Sequence, residues 1–278
     1  MAAPDPTAAQ PLAADQPPEP RVALVTGAAR GIGAATVATL AEAGWRVMAV
    51  DCAADDPDLP YKLGTRTDLE KVAVDAGPNV ATALADVRDV DALGRAVAAA
   101  EDRWGHLDAA LAVAGVIAGG VPAWEVPPGR EQAVIDIDLN GVINLARVAI
   151  PALLRHPEPR RGRFLAVASA AATRGLPLLA AYCAAKAGVA GFIRALGTEL
   201  RDSGVTANAV SPGSTATPIL DESARLYGLP SAETFAAQQP LGRLLHPGEV
   251  AAVLAFLAGD GASAMTGAVI PVDGGLAL

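Results

Sequence analysis

Short apolar runs alternate along this chain with longer stretches in which apolar side chains recur at helical spacing, as expected of strands and helices taking turns. Val22-Ala23-Leu24-Val25 is the first run. Its lack of polar side chains suits a strand buried on both faces. Arg46 to Asp51, Val80 to Leu84, Leu107 to Ala114, Arg163 to Ser169, Val205 to Val210 and Ala268 to Val272 read as further strands. Between them the spacing predicts an Ala-rich helix to about Ala43, closed by Gly44, then a short helix from Asp68 and another from about Asp89 to Trp104. A long helix from about Glu131 to Arg155 follows, broken or kinked near Pro151. The last two are a helix carrying Tyr182 and Lys186 to about Asp202, and one from Gly248 to Ala258. This alternation predicts an α/β three-layer sandwich: a seven-stranded parallel sheet with helices on both faces.

Residues 1–20 carry six prolines and no apolar periodicity, so a mobile tail is expected there, followed by one domain over 21–278. Two connections are long for such a unit. Residues 52–79 form an excursion after the second strand, and about 213–240 hold scattered apolar side chains suited to a substrate lid. Hydrophobic residues make up 52% of the chain but aromatics only 4%, so Ala, Val, Leu and Ile must fill the core. A formal charge of −9 argues against a nucleic-acid partner, which needs a basic face. No apolar run reaches the roughly 18 residues of a membrane span, and no export signal is visible, so a cytoplasmic protein is expected. Cys52 and Cys183 should be free thiols. His106, His156 and His246 lack ligand-like spacing and are expected on the surface, so no metal site is assigned. The cluster Arg155, Arg160, Arg161 and Arg163 reads as a solvated loop.

The chemistry gathers at the carboxyl ends of the predicted strands, where open parallel sheets bind ligands. The first strand leads into Thr26-Gly27-Ala28-Ala29-Arg30-Gly31-Ile32-Gly33 and then a helix, the setting a dinucleotide loop requires. Its glycines let backbone approach a pyrophosphate, and the helix N-terminus supplies N–H groups and partial positive charge. Asp51 ends the next strand 24 positions after Gly27, where a carboxylate suits ribose hydroxyls and repels a 2′-phosphate, favouring NAD over NADP. Arg30 argues the other way, since its guanidinium could pair with that phosphate. Asp86 and Val87 fall where adenine should lie, although Asp86 could instead cap a turn. Ser169 ends the fifth strand, and Tyr182 and Lys186, four apart, share a helix face. A neighbouring ammonium favours the phenolate, which would make Tyr182 a usable acid/base near working pH. Asn140, a polar amide in an apolar helix pattern, is either satisfied structurally or serves a water-filled site.

Together these residues resemble the short-chain dehydrogenase/reductase family over nearly all of Val22 to Leu278, and so a Rossmann-like fold. The resemblance rests on the Thr26 to Gly33 glycine pattern, Asp86, Asn140, Ser169, Tyr182-x-x-x-Lys186, Pro212-Gly213 with Thr217, and Thr266-Gly267 through Val272-Asp273-Gly274-Gly275. It departs at Ala112-Val113-Ala114-Gly115, where relatives usually carry Asn-Asn-Ala-Gly, leaving Ala114 and Gly115 as backbone cofactor contacts. The resemblance implies that Tyr182 exchanges the substrate hydroxyl proton and that Lys186 holds the nicotinamide ribose and lowers the tyrosine pKa. Ser169 would bind the substrate oxygen, Asn140 a relay water, and Thr215 and Thr217 the nicotinamide amide. Enoyl reductases of this broad family typically place six residues between Tyr and Lys, so the spacing here favours carbonyl and alcohol chemistry.

Asp51-Cys52 and Leu59-Pro60-Tyr61-Lys62-Leu63-Gly64-Thr65 also resemble the insertion of mycofactocin-linked members. That implies an NAD that does not exchange freely and a separate peptide-derived electron acceptor. The expected activity is NAD-dependent interconversion of a small apolar secondary alcohol and its ketone, by a homotetramer. An NADPH-dependent ketoreductase using Arg30 and an idle dinucleotide sensor are the alternatives.

Overall fold

The computed structural model describes residues 19–278, so the expected tail lies outside it except for its last two positions. Seven strands form one parallel sheet in the order β3-β2-β1-β4-β5-β6-β7: β1 (Val22–Thr26), β2 (Arg46–Asp51), β3 (Val80–Leu84), β4 (Ala109–Ala112), β5 (Arg163–Val167), β6 (Thr206–Pro212) and β7 (Val269–Val272). The expected three-layer Rossmann-like sandwich is present. Alternation along each strand divides the core into two layers. Val22 and Leu24 of β1, with Phe164 and Ala166 of β5, face one side, while Ala23, Val25, Leu165 and Val167 face the other. The first layer is closed by α3 (Val90–Trp104), α5 (Gly141–Arg155) and α6 (Ala180–Glu199), and the second by α1 (Gly31–Glu42), α2 (Arg66–Ala76) and α8 (Pro247–Ala258). Both faces are covered, which is why these strands read as unbroken apolar runs.

Several boundaries move for local reasons. The short helix starts at Arg66, because the Thr65 hydroxyl accepts the Asp68 N–H at 3.2 Å while the Asp68 carboxylate accepts the Thr65 N–H at 2.9 Å. The long helix begins earlier than expected, as α4 (Pro128–Ile135), with Pro at its first position, and passes through a π-helical turn, Asp136–Asn140, into α5. It runs on through Pro151 to Arg155 instead of breaking there; the side chain of Pro151 is exposed. At 28 residues Pro128–Arg155 is, against expectation, long and apolar enough to cross a bilayer, but half of its most apolar window is buried inside the protein. Residues 213–240, the expected lid, contain α7 (Pro218–Leu226) and a 3₁₀ segment, Ala232–Gln238.

The arginine cluster is not uniformly solvated. Arg163 is buried, its guanidinium donating to the Gly162 carbonyl at 3.0 Å, whereas Arg155 and Arg161 pair with Glu101 and Asp260. With few aromatics available, Phe164 is the largest fully buried side chain. Phe164→Ala is therefore expected to cost about 3–5 kcal/mol, read as a lower denaturant midpoint with the cooperative transition retained.

Candidate active site

Strand order reverses direction between β1 and β4, and a cleft of about 760 Å³ opens at the carboxyl ends of the strands beside that point. Gly27, Gly31, Ile32 and Gly33 line one end, with Ala114 and Gly115 from the turn after β4. Gly27 has φ +67°, and a Cβ there would come within 2.6 Å of Ala114 Cα; a Cβ on Gly33 would collide with the Gly27 carbonyl. The N-cap of α1, Arg30, offers its helix no side-chain cap, so first-turn N–H groups face the cleft without one. A bare backbone cradle at a helix N-terminus fits a dinucleotide pyrophosphate.

Asp51 Oδ2 accepts the Ala29 N–H and Oδ1 the Ala53 N–H, both at 3.0 Å, which fixes the carboxylate at the cleft wall beside Cys52. Arg30 also lines the cleft, and its Nη1 donates to the Lys62 carbonyl at 2.9 Å. Asp86 and Val87 line the same end. Asp86 accepts the Arg88 N–H at 2.9 Å and pairs with its guanidinium at 2.6 Å. Burial opposes the Asp86 charge, but those Arg88 contacts outweigh it and hold the carboxyl below its usual range. Arg88 also reaches the buried Asp56 at 2.7 Å, tying residues 52–79 to the end of β3. A second tie is Tyr61, whose phenol oxygen accepts the Ile117 N–H at 2.9 Å. Ala54, Asp55, Asp56, Leu63 and Gly64 of this excursion line the cleft.

At the other end, Ser169 follows β5 and its hydroxyl lies against the Tyr182 phenol, which it stabilises in the ionised form. Lys186 is 3% exposed; its ammonium donates to the Val167 carbonyl at 3.1 Å and lies 5.7 Å from the Tyr182 ring centre. The structure thus places Ser169, Tyr182 and Lys186 together in the cleft, whereas two other expectations fail. Asn140 is not with them: the π-helical turn points it to a separate recess beside Arg88 and Asn144, where its amide donates to Asp136 Oδ1 at 2.8 Å. The polar side chain facing Lys186 is Asp138, fully buried, with Oδ2 at 3.1 Å from the ammonium. Nor is Tyr182 lowered. Burial, with Asp138 adding to it, pushes the phenol above its ordinary value despite Lys186 and Ser169. Burial raises Asp138, which favours a neutral acid; burial also opposes the Lys186 charge, but Asp138 and Tyr182 together outweigh it and raise Lys186, which favours an ion pair. The ion pair is the better description, because the 3.1 Å contact is joined by the Val116 N–H donating to Asp138 Oδ1 at 2.7 Å.

A family profile described as enoyl-(acyl carrier protein) reductase matches residues 27–277. The chain is 39% identical to the cis-4-hydroxycyclohexanecarboxylate dehydrogenase of Sinomonas cyclohexanicum over 92% of its own length and 96% of the relative's. This chain belongs to the short-chain dehydrogenase/reductase family. Among solved structures, the carveol dehydrogenase of Mycobacterium avium in complex with NAD superposes with a TM-score of 0.87 at 30% identity, covering 93% of this chain and 98% of that one. An actinorhodin polyketide ketoreductase variant with NADPH superposes at 0.82 with 34% identity, covering 93% and 97%. Family members therefore work with either nicotinamide dinucleotide.

In this dehydrogenase/reductase, Pro212, Gly213, Thr215 and Thr217 complete the cleft between the two ends. Thr215 Oγ1 donates to the Gly213 carbonyl at 3.0 Å and Thr217 Oγ1 to the Thr215 carbonyl at 3.2 Å, so the turn is folded on itself. Ile219, Leu220, Tyr227, Leu229 and Phe235 of the lid form an apolar wall, and Tyr227 donates to the Pro177 carbonyl at 2.7 Å. The surface expectation holds for the exposed His246 but not for the other two histidines. His106 and His156 are partly buried around Asp108, at 3.1 and 3.6 Å, and their nitrogens and its carboxylate lie close enough to share a cation. Spacing in sequence hid this because the three side chains sit on the strand β4 approach and at the end of α5. His246 instead caps α8, its Nδ1 accepting the Gly248 N–H at 3.2 Å. Gly33→Ala would place a methyl group against the Gly27 carbonyl, and NAD affinity measured by fluorescence titration is expected to fall by at least about tenfold, the scale of one displaced charge-assisted hydrogen bond.

Proposed function

We propose that this enzyme interconverts a small, largely apolar secondary alcohol and its ketone with NAD. The observation that carries the reading is the convergence of Ser169, Tyr182 and Lys186 in the cleft that also presents the glycine cradle. In the oxidising direction the Ser169 and Tyr182 hydroxyl groups hold the alcohol oxygen, and ionised Tyr182 takes its proton. Lys186 stabilises that phenolate and, with one donor left after Asp138 and Val167, can also hold a ribose hydroxyl. Bound NAD supplies the hydride acceptor, so the carbinol C–H pair leaves as hydride and the oxygen proton goes to Tyr182. The apolar lid excludes water while this occurs. The names of the alicyclic-alcohol dehydrogenases among the relatives favour a ring-bearing substrate.

Asp51 supports NAD over NADP, because its carboxylate is fixed at the cleft wall by two backbone N–H groups, where it suits ribose hydroxyls and repels a 2′-phosphate. The pinned excursion supports the finer, mycofactocin-linked reading, with NAD retained between turnovers and electrons passed to a separate carrier. Homotetramer assembly in the cytoplasm is part of the proposal; exposed Phe256, Leu241 and Leu278 offer apolar surface for contacts between copies.

Tyr182→Phe is expected to keep NAD but lose alcohol oxidation by at least about 100-fold, the usual scale of one acid/base group; a panel of secondary alcohols with an artificial electron acceptor reads this, and full activity in the variant would defeat the assignment. The retained-cofactor reading predicts NAD released on denaturing the purified enzyme. Arg88→Ala, which frees the excursion, should speed NAD release about tenfold or more, whereas an unchanged release rate removes the excursion from cofactor retention.

A further inference from the structure

The mechanism above leaves one buried charge without a task. Asp138 lies on the π-helical turn at the cleft wall, 0% exposed. Its Oδ1 accepts the Val116 N–H at 2.7 Å, whereas Oδ2 makes no aligned hydrogen bond and spends its charge through space on Lys186, 3.1 Å away. The ammonium is thus gripped from behind by Asp138 and the Val167 carbonyl, and faces Tyr182 from the other side.

We propose that Asp138 is a positioning residue that, acting through Lys186, sets the pH at which Tyr182 can take the substrate proton. The inference rests on the acid/base reading of Tyr182 given above. With Tyr182 ionised, the buried trio carries two negative charges and one positive; with a neutral group in place of Asp138 it would carry one of each. A net charge held out of water is costly, so the carboxylate keeps Tyr182 a neutral phenol over a wider pH range. The same carboxylate keeps Lys186 protonated and its Nζ in register with Val167, so position and charge are controlled by one side chain. Other groups that act on the phenol are the Ser169 hydroxyl from the end of β5, which favours its ionised form, and Cys183 from α6, whose thiol lies against Leu176 and whose charge would oppose it; Asp138 in turn opposes ionisation of Tyr61 in the excursion. Tyr61 remains neutral in the working range, since burial raises its phenol far above its ordinary value.

Removing the negative charge favours the phenolate, so Tyr182 should ionise at lower pH. Tyrosinate absorbance is titrated in the purified enzyme and in Asp138→Asn, each against its own Tyr182→Phe counterpart, so that the difference reports Tyr182 alone. The expected midpoint in Asp138→Asn lies about one pH unit or more below the parent, the scale of one nearby charge. Asp138→Glu, which keeps the charge, should stay near the parent value. If Asp138→Asn does not give folded protein by circular dichroism, Asp138→Ser, whose hydroxyl can accept the Val116 N–H, carries the same expectation. A midpoint that is unchanged or raised in a folded neutral variant overturns the proposal and leaves Asp138 a structural partner of Lys186. In parallel, the rising limb of alcohol oxidation with pH should move down with the titration. A parent enzyme that oxidises no alcohol overturns the oxidoreductase reading, while the absorbance titration still decides the role of Asp138.

Discussion

An ammonium buried in a protein has to be met by opposite charge or oriented dipoles, and the active end of this molecule is arranged around meeting that demand for Lys186. The Val167 carbonyl at the end of β5 supplies a dipole, and Asp138 on the π-helical turn supplies charge. Tyr182, one helical turn earlier on α6, offers its ring and phenol. Each contributor belongs to a different element, so the three are aligned only when the sheet, α6 and the long helix are docked. The two-sided apolar core serves that docking. It fixes the strand ends against helices on both faces and leaves the polar work to the loops beyond them.

The cofactor end obeys a second constraint, close approach of backbone to a charged ligand. The glycine cradle provides it, and the excursion after β2 closes over the adjoining wall through Arg30, Tyr61 and Arg88. Those ties link the end of α1, the loop after β4 and the end of β3 to one segment. Apolar packing anchors the same segment, since Leu59 is buried in the core with Tyr61 and Leu63 packed against it.

Much of this was legible in the sequence because strand and helix periods differ and the sheet is buried on both faces. The seven apolar runs fell on the seven strands, and Tyr182 with Lys186 could be placed on one helix face by spacing alone. Asn140 could not. Its relay role came from the family resemblance, and the polar side chain that meets Lys186 is Asp138, two positions earlier and so on a different face of the helical turn. The direction of the Tyr182 shift was missed because local spacing does not show how deeply the phenol is buried, and burial is the largest cause of the rise, with Asp138 adding to it. His106 and His156 are fifty positions apart, and only the fold brings them to Asp108. Arg30 illustrates a different limit: its position beside the glycines was right, but its partner is a carbonyl in a loop whose path no local pattern specifies.

The central claim is that one side chain takes a proton while a nicotinamide takes a hydride from the neighbouring carbon. Its most direct test is a single turnover of the NAD-loaded enzyme with an alcohol carrying deuterium at the carbinol carbon, following reduced nicotinamide by absorbance and its deuterium content by mass spectrometry. The account predicts reduced cofactor carrying the label, formed more slowly than with the unlabelled alcohol when chemistry limits the step, and not formed at a comparable rate when Tyr182 is replaced by Phe. Ketone produced with no label on the nicotinamide, or labelled cofactor formed equally fast without the phenol, would contradict it.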